Sequence, residues 1–161
     1  MLKAAMWIHG NAVVPEISPY DIGGTYYQDR KGWGATYTVH EPPSAIWPWH
    51  NWYHFQIPTP VILDDARPVL VKVFVLYQTS YVSVTDLHVY DGATKIRAFG
   101  GFKFSGNHIG GIDASNSWII GPPVTILYGL GISVGVLFND PPVTPDAWIL
   151  FASAGADFAQ P

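Results

Sequence analysis

Trp118-Ile119-Ile120, Val124-Thr125-Ile126-Leu127 and Ile132-Ser133-Val134-Gly135-Val136-Leu137-Phe138 follow one another between Asp113 and Asp140 without a single charged residue. A run this apolar raises the question of a membrane span, and its periodicity argues against one. Ile132, Val134, Val136 and Phe138 fall on one side of an extended chain, with Ser133, Gly135 and Leu137 on the other, the spacing of a half-buried strand. Pro122-Pro123 and Gly129-Leu130-Gly131 would interrupt a helix, whereas they punctuate strands. The segment therefore predicts an all-β fold and no membrane partner.

The same period extends outward along the chain. Residues 3–9 read as a first strand. Val13-Val14-Pro15 and Ser18-Pro19-Tyr20-Asp21 read as irregular edge structure, followed by strands near Thr25–Gln28 and Ala35–Val39 joined tightly by Gly32-Trp33-Gly34. Tyr53, Phe55 and Ile57 point one way, and Trp52, His54 and Gln56 the other, until Pro58 ends the strand. Leu70–Tyr77 is apolar on both faces except at Lys72, as expected of a central strand covered on two sides.

In Tyr81–Tyr90 the apolar phase shifts from Val82 and Val84 to Leu87 and Val89. A β-bulge near Thr85-Asp86 would keep all four facing the core. Asp91-Gly92 predicts a type I′ hairpin with a return strand over Thr94–Phe99, extending toward Phe102–Phe104. Trp148–Phe158 reads as the last strand, its Ser153-Ala154-Gly155-Ala156 stretch small enough for close backbone approach. About ten short strands with turns every ~8–12 residues describe a two-sheet antiparallel β-sandwich, jelly-roll-like, as a single domain over residues 1–161.

Composition narrows the function classes. The chain has 161 residues, 48% of them hydrophobic and 15% aromatic, enough for one sizeable core. Only 12% are charged, about half the usual share, and 16 glycines and 14 prolines make the chain turn-rich. The eight Lys and Arg are scattered, with only Arg30 and Lys31 adjacent, and the formal charge is −4, so no basic stripe serves nucleic acid. With no cysteine, disulfides, thiolate metal sites and cysteine nucleophiles are excluded. The apolar run in Met1–Gly10 is too short for a signal peptide, which makes the cytoplasm the default expectation, export by another route remaining open.

The densest candidate for function is Ile46-Trp47-Pro48-Trp49-His50-Asn51-Trp52-Tyr53-His54. Aromatic faces pack on the CH faces of pyranose rings while polar neighbours bond the hydroxyls, so Trp47, Trp49, His50, Asn51, Trp52 and His54 are expected to bind a ligand, carbohydrate first. The bland alternative is that these rings plug one end of the sandwich or fill a subunit interface. His50 and His54 share the spacing of a helical zinc pair, but in a strand they stand roughly 13 Å apart, too far for one ion with ~2 Å bonds. No metal or cofactor is expected from them. A metal site would need His40, His88, His108 or a carboxylate brought in by folding.

Asp64-Asp65 reads as a turn rather than a catalytic pair. Asp86 and His88 alternate onto one face where the strand is regular, a pairing that would orient a base. No nucleophile elbow, phosphate loop or dinucleotide fingerprint occurs.

Trp52–Ile62, Val73-Phe74-Val75-Leu76, Leu87–Gly92, Gly129–Val134 and Ser153–Phe158 together resemble a family of small bacterial all-β proteins with no assigned activity. The resemblance implies a standalone single domain and transfers no catalytic residue. Low charge and many aromatics further predict a homo-oligomer, since an isolated chain would expose large apolar patches. The leading expectation is a non-catalytic, self-associating binding protein. The alternatives are a cupin-like β-barrel enzyme using His and Asp, with or without a metal, and a purely structural subunit.

Overall fold

The computed structural model describes residues 1–18, 26–40, 48–138 and 146–161. Eleven strands lie within them: β1 (Leu2–His9), β2 (Val14–Pro15), β3 (Tyr26–Lys31), β4 (Gly34–Val39), β5 (Trp49–Ile57), β6 (Val69–Ser80), β7 (Val82–Asp91), β8 (Thr94–Phe99), β9 (Ser117–Thr125), β10 (Leu130–Phe138) and β11 (Ala147–Ala159). One sheet runs β3-β4-β11-β6-β9, with β1 added along β11; the other runs β2-β5-β10-β7-β8. Every pairing is antiparallel.

The pairs nest: β7 with β8 innermost, then β6 with β9, β5 with β10, and β4 with β11. A long hairpin of four nested pairs rolled so that alternate pairs fall in opposite sheets is a jelly roll. The chain is thus an all-β sandwich of the kind its periodicity indicates.

Inward residues of both sheets meet in one core. Tyr37, Tyr53, Phe55 and Phe151 are 0–1% exposed, and Phe151 touches all three other rings at centroid distances of 5.1–6.3 Å. In β10, Ile132, Val134, Val136 and Phe138 are fully buried, as period two requires.

The bulge in β7 falls at Thr85. Gly135 of β10 faces Asp86 while Val136 faces Val84, leaving Thr85 as the extra residue. Val82, Val84, Leu87 and Val89 all reach the core in consequence, none more than 1% exposed.

Three local expectations change. The two-residue turn between β7 and β8 is Gly92-Ala93, not Asp91-Gly92; only Gly92 has positive φ, at 55°, and Asp91 remains in the ladder opposite Thr94. The two successive positive φ values that a type I′ turn needs occur at Asp64 (48°) and Asp65 (59°), between the bridged Leu63 and Ala66. Among the described residues, no second layer of strands or helices covers the outer face of β6. Its outward Phe74 is buried by Trp7, stacked at 5.2 Å, and by the Lys72 ammonium 5.1 Å from the ring. Trp7 can lie there because Gly155 is beneath it, where a Cβ would come within 2.5 Å of the indole. Phe102–Phe104 does not prolong β8; Phe104 makes a separate bridge to Val84. The stretch Pro19-Tyr20-Asp21, and Thr25, lie outside the described residues.

Candidate functional site

Alternation along β5 divides the aromatic segment between two environments. Trp49 and Asn51 turn inward with Tyr53, whereas His50, Trp52 and His54 turn out onto the face of the five-stranded sheet. Trp49 is 9% exposed and packs on Tyr26 (4.9 Å) and Phe138 (4.8 Å), so it serves the core and does not reach the outer face. Trp47 lies outside the described residues.

Asn51 is buried too, and its side chain ties down the segment after β2. It accepts from the Ile17 and Trp52 amides and donates to the Ile17 carbonyl, while the Glu16 amide donates to the Trp52 carbonyl. Asn51 also donates to the Tyr26 hydroxyl, which shares a 2.8 Å hydrogen bond with Tyr53. Burial above all pushes the Tyr26 and Tyr53 hydroxyls well above the ordinary phenol range, so they act only as neutral hydrogen-bonding groups. The buried network thereby holds Glu16 beside β5.

On the outer face, Ser133 of β10 lies between His54 of β5 and His88 of β7, and Gly135 lies between Trp52 and Asp86. The glycine matters here. A Cβ at Gly135 would come within 3.2 Å of the Trp52 indole and 3.1 Å of His50 Nε2, so its absence lets Trp52 cross the strand. Trp52 then stacks on His88, centroids 4.5 Å apart and planes inclined by 31°, and meets His50 edge-on at 5.4 Å. The Thr85 bulge brings Thr85 Oγ1 to 3.4 Å and Asp86 Oδ2 to 3.7 Å from His50 Nε2.

Beside this aromatic group lies a cleft of about 250 Å³ lined by Glu16, Trp52, His54, His88, Tyr90, Lys95 and Ser133. His54 bridges two of its walls, with Nδ1 2.8 Å from Ser133 Oγ and Nε2 3.4 Å from Glu16 Oε2. His88 has its pKa held down, first by burial and then by the Lys95 ammonium, against a smaller opposing pull from Asp86. It is therefore the neutral imidazole at pH 7, able to donate from one nitrogen and accept at the other. The carboxylate of Glu16 and the ammonium of Lys95 offset each other. The cleft thus combines flat apolar rings with hydrogen-bonding groups and little net charge.

Of the residues singled out from the sequence, Trp52 and His54 line this cleft and His50 braces Trp52. Asn51 supports it from beneath. Sequence reasoning did not find Glu16, Tyr90, Lys95 or Ser133, which join the site through strand order. Asp86 and His88 do share the outer face, and Asp86 Oδ2 stands 3.7 Å from His50 Nε2. Among the described residues, no three His, Asp or Glu side chains are grouped to hold a metal ion. Nor is any helix there long and apolar enough to cross a membrane.

No protein-family model matches the chain, and no curated protein matches it. The resemblance drawn from its sequence motifs therefore assigns no family, and function must be argued from the site.

Proposed function

We propose that this protein is a non-catalytic binding module that takes a carbohydrate on the outer face of its five-stranded sheet. The observation that carries this reading is the cleft itself. Trp52 and Tyr90 supply ring surface for the apolar face of a sugar, and His54, His88, Ser133 and Glu16 supply donors and acceptors at its edge. Offsetting charges favour a neutral, hydroxyl-rich ligand over an ionic one, because a charge entering the cleft would find no net counter-charge.

A glycan array followed by calorimetry on the strongest hit tests this. Trp52→Ala is expected to weaken binding roughly 10–100-fold, about 1.4–2.7 kcal/mol, the worth of ~60–100 Å² of apolar contact. Unchanged affinity in that variant, or no glycan bound at all, would remove the reading.

Self-association belongs to the same proposal. Ile62 (56%), Leu127 (46%), Tyr128 (77%) and Ile119 (73%) are large apolar side chains left in water by the single chain. Arg67 holds the first two segments together by donating to the Val61 and Leu127 carbonyls. Light scattering at micromolar concentration is expected to give a multiple of the monomer mass; a uniform monomer would refute it.

A second reading, hydrolysis, is favoured by one observation, the Ser133–His54–Glu16 chain, which has the nucleophile, base and orienting carboxylate of acyl-transfer sites. The surroundings fit it less well. Ser133 sits in a strand paired on both sides, where the backbone amides are committed to the sheet and offer no oxyanion donors. Hydrolysis of a p-nitrophenyl ester that is abolished by Ser133→Ala would establish this reading over the first.

A further inference from the structure

We propose that a second cleft, on the outer face of the opposite sheet, binds a quaternary ammonium group. This cleft is about 300 Å³ and is lined by Trp33, Thr36, Thr38, Asp146, Trp148 and Leu150. Its floor is the β4–β11 pair, where Thr36 faces Leu150 and Thr38 faces Trp148. Period two turns these four outward, since Tyr37, Ile149 and Phe151 on either side of them are fully buried.

Trp33 stands at the turn between β3 and β4 and is 64% exposed, a large apolar ring held in water. Gly34, directly after it, has φ of 147° and lies where a Cβ would press within 3.1 Å of Leu150, so the turn is shaped to bring the chain low over β11. Trp33 and Trp148 thus border one space. Asp146 lies at the cleft with its side chain about half exposed, and one of its oxygens bonds His40 Nδ1. Tyr27 packs edge-on against His40.

The chemistry of this lining selects a cation. Indole faces attract positive charge through the ring quadrupole, and tryptophan does so most strongly of the aromatic side chains. The Asp146 carboxylate, bonded at one oxygen by His40, adds negative charge, and among the described residues no Lys or Arg lines the cleft. An anion would find no cationic donor there. A primary ammonium ion would sacrifice strong hydration, and a guanidinium would bring five N–H donors to only two hydroxyls and one carboxylate, whereas a trimethylammonium group is weakly hydrated, apolar on its surface and without N–H donors to satisfy. This distinguishes the cleft from the one on the other sheet, where charges offset. The proposal stands whether or not that first cleft binds a sugar.

Calorimetric titration of the full chain with choline chloride, and with its uncharged carbon isostere 3,3-dimethyl-1-butanol, tests the assignment. Choline is expected to bind at least tenfold more tightly than the isostere. Trp33→Ala and Asp146→Asn, both at exposed positions, should each weaken choline at least fivefold with an unchanged unfolding midpoint, and Trp52→Ala should leave it unaffected. Choline affinity should fall as sodium chloride rises, because the carboxylate is half exposed and screened.

Equal binding of choline and the isostere would overturn the proposal, as would no choline binding, binding indifferent to Trp33→Ala, or displacement from this cleft by methyl glucoside. Two sources of the group are separable. Co-sedimentation with phosphatidylcholine vesicles but not phosphatidylglycerol vesicles, lost in Trp33→Ala, supports a lipid headgroup; choline binding without vesicle binding supports a free solute.

Discussion

Replacing Phe151 by alanine is expected to destabilise the protein by about 4–5 kcal/mol, near the upper end of the ~3–5 kcal/mol range for buried Phe→Ala changes. The side chain is fully buried and contacts the rings of Tyr37, Tyr53 and Phe55, which come from strands in both sheets. Its loss leaves a cavity where the two layers meet. What decides the magnitude is whether the walls can collapse into it.

Around Phe151 the backbone is already at its closest approach. A Cβ on Gly10 would lie 1.9 Å from the Phe151 carbonyl oxygen, and one on Gly34 2.1 Å from it. Here β11 is pressed by two other segments of the chain and cannot shift to fill the void. The register break between Phe151 and Ser153 along β6 fixes it further. Urea denaturation should show the loss as a lower midpoint with an unchanged slope. Phe151→Leu, which keeps most of the volume, should cost less than half as much. A loss below roughly 1.5 kcal/mol in Phe151→Ala would mean that the layers do close over the gap.

The fold was legible because its strands obey period two over long stretches. Residues 132–138 carry the pattern without a break, and the phase change between Val84 and Leu87 located the Thr85 bulge, since four apolar residues had to reach one core. The turn after β7 was misplaced for a reason that local preference does not contain. Asp91-Gly92 favours a turn, but amides at 127, 128 and 129 claim the Asp91 carboxylate and keep that residue in the ladder. What covers the outer face of β6 was not legible either: Phe74 lies under Trp7 from another strand, an arrangement made possible by Gly155 in a third.

The candidate site was only half legible. The density of rings in residues 46–54 marked the segment, yet alternation sends Trp49 and Asn51 inward and only His50, Trp52 and His54 outward. That parity was readable from the Tyr53–Ile57 pattern. The partners were not. Ser133, His88, Tyr90 and Lys95 reach the cleft because β10 lies beside β5, β7 beside β10 and β8 beside β7, and periodicity carries no information on which strands are neighbours. One signal was available in Gly135, a missing side chain in the middle of an apolar strand, which often marks close approach by another group. The groups here are Asp86, His50 and Trp52, at 2.9, 3.1 and 3.2 Å from a Cβ placed there.

Asp91→Ala should cost about 3–5 kcal/mol, the penalty expected when a buried, hydrogen-bonded charge is removed from partners that have no substitute. Asp91 is 6% exposed. Its Oδ2 accepts from the Leu127 amide at 2.9 Å, and its Oδ1 accepts from the Tyr128 and Gly129 amides at 2.8 and 3.0 Å. These bonds fasten the connection between β9 and β10, which Arg67 also grips through the Leu127 carbonyl. Asp91→Asn keeps an oxygen for Tyr128 and Gly129 but sets an NH₂ group against the Leu127 N–H, so its cost should be intermediate.

The pH dependence has a fixed sign. Burial pushes the Asp91 carboxyl up, but the three amides and Arg67 together pull it down further, so its folded-state pKa lies below the ordinary carboxylate value of roughly 3.9. Stability from this group is therefore fully present above about pH 4 and lost as pH falls through the folded-state pKa. Measured by urea unfolding at pH 7 and again near pH 3, the gap between wild type and Asp91→Asn should narrow in acid. A gap that stays constant or widens would mean that the carboxylate charge contributes nothing beyond what a neutral amide supplies.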